Sequence, residues 1–286
     1  MKRKVVILKN KSNTLLLISN TSALLVDCGY DYEDTNIIID YIKKRHLNLK
    51  VVIITHYHRD HVDGITELLK VFNGIKIYCT DETSVIYNNE WFENNFYLSV
   101  SRDRVCNIKK MKRLPSRMKF HDFMIKSIKL NGHCIGNVSL IIDNVLFSSD
   151  IVISNEHYLP FISDVDAYLD EIKELKKLRN IDKVVLTHSN NESITYTEFI
   201  KKICITEEII NKYVHIVFQN ISNIEYDTFI EKMITLDVRT HCFRDKFDIE
   251  QYSYTRYVLN NIINYLIKKN LIEFKCLDNK IYLERK

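Results

Sequence analysis

The segment that most constrains this chain runs Val51-Val52-Ile53-Ile54-Thr55-His56-Tyr57-His58-Arg59-Asp60-His61-Val62-Asp63-Gly64. Four apolar β-branched residues in a row predict a buried strand, and that strand runs directly into three histidines and an aspartate. At an extended strand end, residues two apart face the same way, so His56 and His58 can share one metal ion. A turn then re-aims the chain, which lets Asp60 and His61 face a second ion beside the first. The plainer alternative is a polar turn with chance histidines. With only 10 histidines in 286 residues, three of them within six positions argues against accident.

The surrounding chain alternates short β-branched runs with helix-period segments, the pattern of an α/β layered domain. Strands are predicted at Val5 to Leu8, Thr14 to Ile18, Ala23 to Val26, Lys50 to Thr55, Ile75 to Cys79, Phe123 to Leu130, Val138 to Ile142, Val145 to Phe147 and Lys183 to Thr187. Helices are predicted at Tyr32 to His46, Gly64 to Phe72, Asp81 to Leu98 and Asp164 to Leu178. From about Thr197 the character changes. Three helical stretches, near 197 to 214, 225 to 236 and 249 to 269, precede a hairpin at Leu271 to Leu283 with Asp278-Asn279 as its turn. Helices followed by a two-stranded wing resemble a winged-helix module.

Composition excludes several classes. With 46% hydrophobic and 27% charged residues, the chain can bury a sizeable core and is no disordered tail. Its apolar runs fall far short of the roughly 20 residues that span a bilayer, so no membrane partner is expected. The start, Met1-Lys2-Arg3-Lys4, is basic, but only Val5 to Leu8 follow before Lys9 and no small-residue cleavage site appears, so the expected location is cytoplasmic. Seven scattered cysteines without a Cys-x-x-Cys pair argue against a disulfide framework or thiolate zinc knuckle. A net charge of +4 imposes no global field that demands nucleic acid.

The His-x-His-x-Asp-His segment after a hydrophobic strand resembles the metallo-β-lactamase superfamily, and four further landmarks follow that family's order. Val26-Asp27-Cys28-Gly29 matches the early aspartate that braces the metal loop. Gly132-His133-Cys134-Ile135-Gly136-Asn137 matches the glycine-histidine that completes the first metal site. Val145-Leu146-Phe147-Ser148-Ser149-Asp150 matches the strand ending in a bridging aspartate, and Val184-Val185-Leu186-Thr187-His188-Ser189 the strand ending in the last histidine. Glycine agrees: the chain has only 5, where average usage near 7% would give about 20. Gly29, Gly64, Gly132 and Gly136 adjoin these landmarks.

The resemblance implies an αββα sandwich with a small C-terminal winged-helix-like module, divided as residues 1–199 (catalytic) and 200–286. It implies that His56, His58 and His133 hold one ion, that Asp60, His61 and His188 hold another, and that Asp150 bridges them, with Asp27 behind. Nitrogen and carboxylate donors suit zinc (Zn2+), with Mn2+ or Fe2+ as alternatives. An open dinuclear site implies a hydrolase that uses a hydroxide bridging the ions, with Asp60 and His61 as catalytic residues. Cys134 reads as a small buried thiol rather than a ligand. Asn137 stands where the family carries a histidine outside the primary ligand set, a candidate substrate contact.

The resemblance extends along the whole chain to the β-lactamase-like-protein-2 branch, which includes single-strand endoribonucleases and thioester hydrolases. Arg102 to Lys119 holds eight basic residues against Asp103 alone, among them Arg102, Lys109, Lys110 and Arg113. Such a stretch can track phosphates or be a solvated connection. The aromatics Trp91, Phe92, Phe96 and Tyr97 fit a core, stacked bases or an acyl channel. The leading expectation is therefore cleavage of RNA phosphodiesters. The alternative is a thioester or acyl hydrolase of glyoxalase-II type, and a third is a non-catalytic nucleic-acid binder with a structural metal. An aromatic-walled pocket favours the acyl substrate; an open groove edged by the basic stretch favours RNA.

Overall fold

Alternation along the central strands explains the layering. In β2 (Thr14–Ser19), Leu15 and Leu17 enter one buried cluster while Leu16 and Ile18 enter another. β3 (Ser22–Val26) sends Leu24 and Val26 to the first cluster and Ala23 and Leu25 to the second. β4 (Asn48–Ile53) divides Val51 and Ile53 from Leu49 and Val52 in the same way. Strands apolar on both faces must be covered on both sides.

A computed structural model describes residues 3–89, 111–152, 159–239 and 249–286. With β1 (Arg3–Leu8), β5 (Lys76–Cys79) and β6 (Lys112–Arg113), the first sheet runs β1-β2-β3-β4-β5-β6. β3, β4, β5 and β6 are parallel neighbours. The second sheet contains β7 (Arg117–Phe120), β8 (Phe123–Lys129), β9 (Val138–Ile142), β10 (Val145–Phe147), β11 (Lys183–Val185) and β12 (Ile194–Thr195), in the order β12-β11-β10-β9-β8-β7. Phe123, Leu140, Phe147 and Val185 meet Leu15, Val26 and Ile53 between the sheets.

Helices cover the outer faces. Ile38 and Ile42 of α1 (Tyr32–Lys44) sit beneath the first sheet, together with Ile65 and Leu68 beyond the histidine loop. The second sheet turns Leu146 and Val184 toward α5 (Val165–Leu175), α6 (Tyr196–Asn220) and α8 (Ile249–Lys268). The short helices are α2 (Arg59–Val62), α3 (Ile65–Val71) and α4 (Asp81–Tyr87), and α7 (Tyr226–Arg239) lies between α6 and α8. The result is the expected αββα sandwich. Local chemistry sets the helix starts: Asp31 and Asp164 accept from the backbone of Asp34 and Ala167, and Thr195 with Glu198 forms a capping box.

Differences from the sequence expectations fall where tertiary pairing decides. α4 ends at Tyr87, with Thr80 as its N-cap and Asn88 closing it, and the rest of the segment expected to be helical, from 90 to Leu98, lies outside the described residues. Trp91, Phe92, Phe96 and Tyr97 lie outside the described residues. The basic connection before Lys119 contains strands: Lys112 and Arg113 pair with Tyr78 and Cys79, and Arg117 to Phe120 pairs with β8. Among the described residues both are edge strands, where exposed charge discourages further pairing. At the C-terminal end, β14 (Ile272–Leu277) and β15 (Lys280–Arg285) form the hairpin, and β13 (Ile224–Glu225) adds a third strand. Asp278 and Asn279 have φ of 47° and 62°, the left-handed pair of a two-residue turn. No helix among the described residues is long and apolar enough to cross a membrane.

Candidate metal centre

Parallel strands deliver their C-terminal ends to one edge of the sandwich, and the histidine loops gather there. Asp27 follows β3 and His56 and His58 follow β4, the parallel neighbour of β3; Asp60 and His61 lie in α2. Asp150 lies in a 3-10 turn, Ser149–Ile151, after β10, and His188 follows the parallel β11. His133 comes from the β8–β9 loop. Two glycines permit the close approach of these loops. A Cβ on Gly64 would stand 2.1 Å from the Cys28 carbonyl oxygen, and one on Gly132 would stand 2.3 Å from Tyr168 Cα. The first contact locks the turn after Asp27 onto the His61 helix, where Cys28 N donates to His61 O at 2.8 Å.

The structure brings seven predicted residues into two adjoining clusters. His56, His58 and His133 form one, with Cys134 nearby; Asp60, His61, Asp150 and His188 form the other. Asp150 stands between them. Its Oδ2 is 3.7 Å from Nε2 of both His56 and His133 and 3.2 Å from His188 Nε2, while Oδ1 is 3.3 Å from His61 Nε2. Asp60 Oδ2 lies 3.2 Å from His61 Nε2 and 3.1 Å from His188 Nε2.

Hydrogen bonds on the outside fix which ring nitrogen faces in. His61 Nδ1 donates to Asp27 Oδ2 at 2.8 Å, His133 Nδ1 to the Phe161 carbonyl at 3.1 Å and His188 Nδ1 to the Lys11 carbonyl at 3.3 Å. Thr55 gives its hydroxyl proton to Asp27 Oδ2 at 2.8 Å and so accepts from His56 Nδ1 at 3.0 Å. Each of these rings therefore turns Nε2 inward, as a metal-binding histidine does when its far nitrogen is engaged. His58 turns Nδ1 inward instead, 3.0 Å from His133 Nε2. Two nitrogens on one tetrahedral zinc, each about 2.0–2.1 Å from the ion, would lie about 3.3 Å apart, so this spacing suits a shared cation. The buried His56 Nε2 has no hydrogen-bond partner among the described residues, which a cation between the clusters would remedy.

The two clusters differ electrically. Burial pushes His56 and His58 well below the usual imidazole range and takes His133 down to about 4, so all three are neutral donors. Burial opposes charge on His61 and His188 as well, but Asp150 and Asp60 outweigh it; His61 lies well above the usual range and His188 reaches about 10. Against the same burial penalty, His61 and His188 hold the Asp60 and Asp150 carboxyls well below theirs.

Other predicted residues fall elsewhere. Asn137 is fully buried and accepts from Ser149 Oγ at 2.6 Å, so its amide oxygen faces the turn that carries Asp150. Cys134 sits with Tyr57 and Ile86 in a small apolar cluster, and burial pushes its thiol well up. Arg113 is exposed and pairs with Asp81 at 3.3 Å; Arg102, Lys109 and Lys110 lie outside the described residues. Sequence reasoning missed Thr55, Thr187, Ser12 and Phe161. Thr187 donates to Asp150 Oδ1 at 2.5 Å, and Ser12 Oγ is 3.2 Å from His61 Nε2. The repeated Thr-His pair at 55–56 and 187–188 was a signal available for two of these.

Phe161 packs edge-on to His58 at 5.1 Å and near His133 at 5.7 Å, and Tyr257 of α8 stacks on it at 4.8 Å and 15°. Tyr254 adds a third ring 5.3 Å from Phe161. An aromatic wall thus backs the three-histidine cluster, built partly from the C-terminal helices.

The sequence profile described as the metallo-beta-lactamase superfamily matches residues 9–188. A hydroxyacylglutathione hydrolase of Glaesserella parasuis serovar 5 is 24% identical over 179 residues, which cover 62% of this chain and 66% of that protein. One from Shewanella pealeana is 26% identical over 159 residues, 55% of this chain and 54% of that protein. The chain thus matches between about half and just under two thirds of the length of these relatives. A beta-lactamase domain protein from Burkholderia ambifaria superposes with a TM-score of 0.74 at 16% identity, covering 99% of this chain and 92% of that one. A metallo-beta-lactamase family protein from Thermus thermophilus does so with a TM-score of 0.66 at 13% identity, covering 99% and 98%. At these identities the two structures show the shared fold.

Proposed function

The chain belongs to the metallo-beta-lactamase superfamily and is a metal-dependent hydrolase, and from that premise we propose that it cleaves small thioesters of the hydroxyacylglutathione kind at a dinuclear zinc centre. The observation that carries the substrate class is that relatives matched over 179 and 159 residues are named hydroxyacylglutathione hydrolases. The aromatic wall of Phe161, Tyr254 and Tyr257 supports the same reading. RNA cleavage has less support: in the described part of the basic stretch, Arg113 is paired with Asp81, and Lys112 to Lys119 is largely taken up by edge strands. The non-catalytic reading has less support, since the named relatives are hydrolases.

In this proposal His56, His58 and His133 would hold one ion and Asp60, His61 and His188 the other, with Asp150 between the two sets. Bound zinc ions supply Lewis acidity and lower the proton affinity of water toward neutral pH. The chain's own residues do the rest. Asp27 and the Phe161 and Lys11 carbonyls hold His61, His133 and His188 in the required tautomers. The aromatic wall closes the three-histidine side, so the reacting carbonyl enters beside Asp60 and His188, whose side chains are partly exposed. Asp60, ionised and aimed at the centre, receives the proton of the attacking water at Oδ2 and returns it to the leaving sulfur. Water oxygen joins the carbonyl carbon, the C–S bond breaks, and acid and thiol leave.

The test compares the zinc-loaded chain on S-lactoylglutathione, single-stranded RNA and bis-p-nitrophenyl phosphate, counting bound metal and using His61→Ala as control. Thioester turnover abolished by His61→Ala is expected. Turnover confined to RNA or the phosphodiester would overturn the substrate class.

A further inference from the structure

The C-terminal hairpin carries an apolar face that outruns its core. On one face of β14 and β15, Ile272 and Leu283 are fully buried, but Phe274, Cys276 and Ile281 toward the tip are exposed, Phe274 by 50% and Ile281 by 48%. β14 is also a sheet edge: the order is β13-β15-β14, and β14 pairs only with β15 among the described residues. The two-residue turn makes Leu277 and Lys280 the closing hydrogen-bonded pair, and at the far end Lys286 N donates to Leu271 O. By that alternation the backbone groups of Leu271, Glu273, Lys275 and Leu277 face β15. Those of Ile272, Phe274 and Cys276 face outward, unsatisfied by the sheet and ready to template another strand.

We infer that β14 is a self-association edge and that its occupant is β14 of a second copy of this chain, antiparallel, about a two-fold axis at Phe274. The sequence Leu271-Ile272-Glu273-Phe274-Lys275-Cys276-Leu277 is self-complementary in this register. Phe274 faces Phe274 of the second copy, Glu273 faces Lys275 twice, Ile272 faces Cys276, and Leu271 faces Leu277. Aromatic pairs and opposite charges directly across a ladder are favourable cross-strand pairs, and like charges are not. The registers shifted by two residues fail on that rule: centring on Glu273 sets two carboxylates together, and centring on Lys275 sets two ammonium groups together. Shifts by one residue put the apolar face of one copy beside the charged face of the other. Of these registers the Phe274-centred one satisfies charge, face and outward backbone groups together, and it pairs the strand over its whole length. The contact is isologous and closes after two copies, joining two three-stranded sheets into one.

Sedimentation equilibrium on the full chain tests this. The native protein is expected to approach twice its 34.0 kDa with rising concentration. Lys275→Glu, which sets like charges opposite twice, should weaken association by roughly ten-fold or more. The paired exchange Glu273→Lys with Lys275→Glu should restore it. Lys275 also pairs with Glu284 inside the hairpin, so circular dichroism must show each variant folded. Should Lys275→Glu unfold the hairpin, Phe274→Cys decides instead: in the proposed register two introduced thiols meet across the axis and an oxidised dimer forms at low concentration. A native chain that stays monomeric throughout, a dimer indifferent to the charge exchange, or no Phe274→Cys cross-link overturns the inference.

Discussion

The two halves of the metal centre are built from opposite materials. The His56, His58 and His133 half is fully buried, uncharged and backed by rings, and its braces are a hydroxyl and a carbonyl. The Asp60, His61, Asp150 and His188 half contains two carboxylates between two histidines, and its outer members are partly open to solvent. A dry set of neutral donors turns lone pairs inward, and His56 Nε2 finds no hydrogen bond among the described residues, a need that a cation meets. A charged set is already partly compensated by its own ion pairs, so it tolerates solvent and can pass protons. The comparison assigns holding to the first half and proton handling to the second, with Asp150 the shared member.

Removing the shared member should break both halves at once. Asp150→Ala deletes the carboxylate that reaches all four Nε2 atoms of His56, His61, His133 and His188. Thioesterase kcat/KM should fall by at least about 10³-fold, as when one group of a unit-acting site is lost, and bound zinc should drop below two per chain. A variant that keeps two ions would contradict the bridging role.

The braces should separate the halves. Thr55→Val removes the nearer acceptor for His56 Nδ1 and one donor to Asp27, which keeps the Thr55 backbone N–H and His61, and Thr187→Val removes a donor to Asp150 Oδ1, each in a nearly isosteric way. Outer partners of this kind typically change metal affinity by about 10–100-fold. Thr55→Val should weaken the hold of the three-histidine half on its ion, and Thr55→Ser should restore it. Thr187→Val should instead lower kcat while zinc stoichiometry holds. Equal metal loss in both variants would erase the proposed distinction.

A smaller effect concerns the wall. Tyr257→Ala removes a stacked ring from Phe161, an aromatic contact worth about 0.5–1.5 kcal/mol beyond its buried area. Zinc affinity at the neighbouring histidines should fall only a few-fold and the substrate KM should rise, with Tyr257→Phe close to native. Unchanged KM in Tyr257→Ala would mean that closing the three-histidine side does not shape how the substrate enters.

These partners also mark how far the sequence could be read. His56, His58, Asp60 and His61 were legible because strand periodicity and a turn place them by local rules, and the sandwich because β2, β3 and β4 alternate apolar residues to both faces. What stayed hidden is nonlocal. Phe161 and Tyr257 meet across most of a hundred residues, and Thr187 finds Asp150 across 37. β12 and β13 are two-residue strands that exist because a neighbour pairs with them. In the described part of the basic stretch the same holds: Arg113, counted with its neighbours along the chain, pairs in the fold with Asp81.

The least effect expected lies in the loop that carries His133. The Glu171 carboxylate accepts from Gly132 N at 3.1 Å through each oxygen, and burial raises its pKa to about 7. An unfolded chain releases that proton near 4.3, so between there and about 7 the native state binds more protons and stability falls as pH rises. The contribution is full below the unfolded value and gone above about 7. Glu171→Gln removes this titration while keeping one acceptor for Gly132. Native and variant melting temperatures should therefore sit closest to their structural difference near pH 4 and shift in the variant's favour by pH 8, with metal-linked effects common to both. Parallel curves across that range would mean that Glu171 is already ionised in the fold, and that the dry half of the centre extends no further than the histidines themselves.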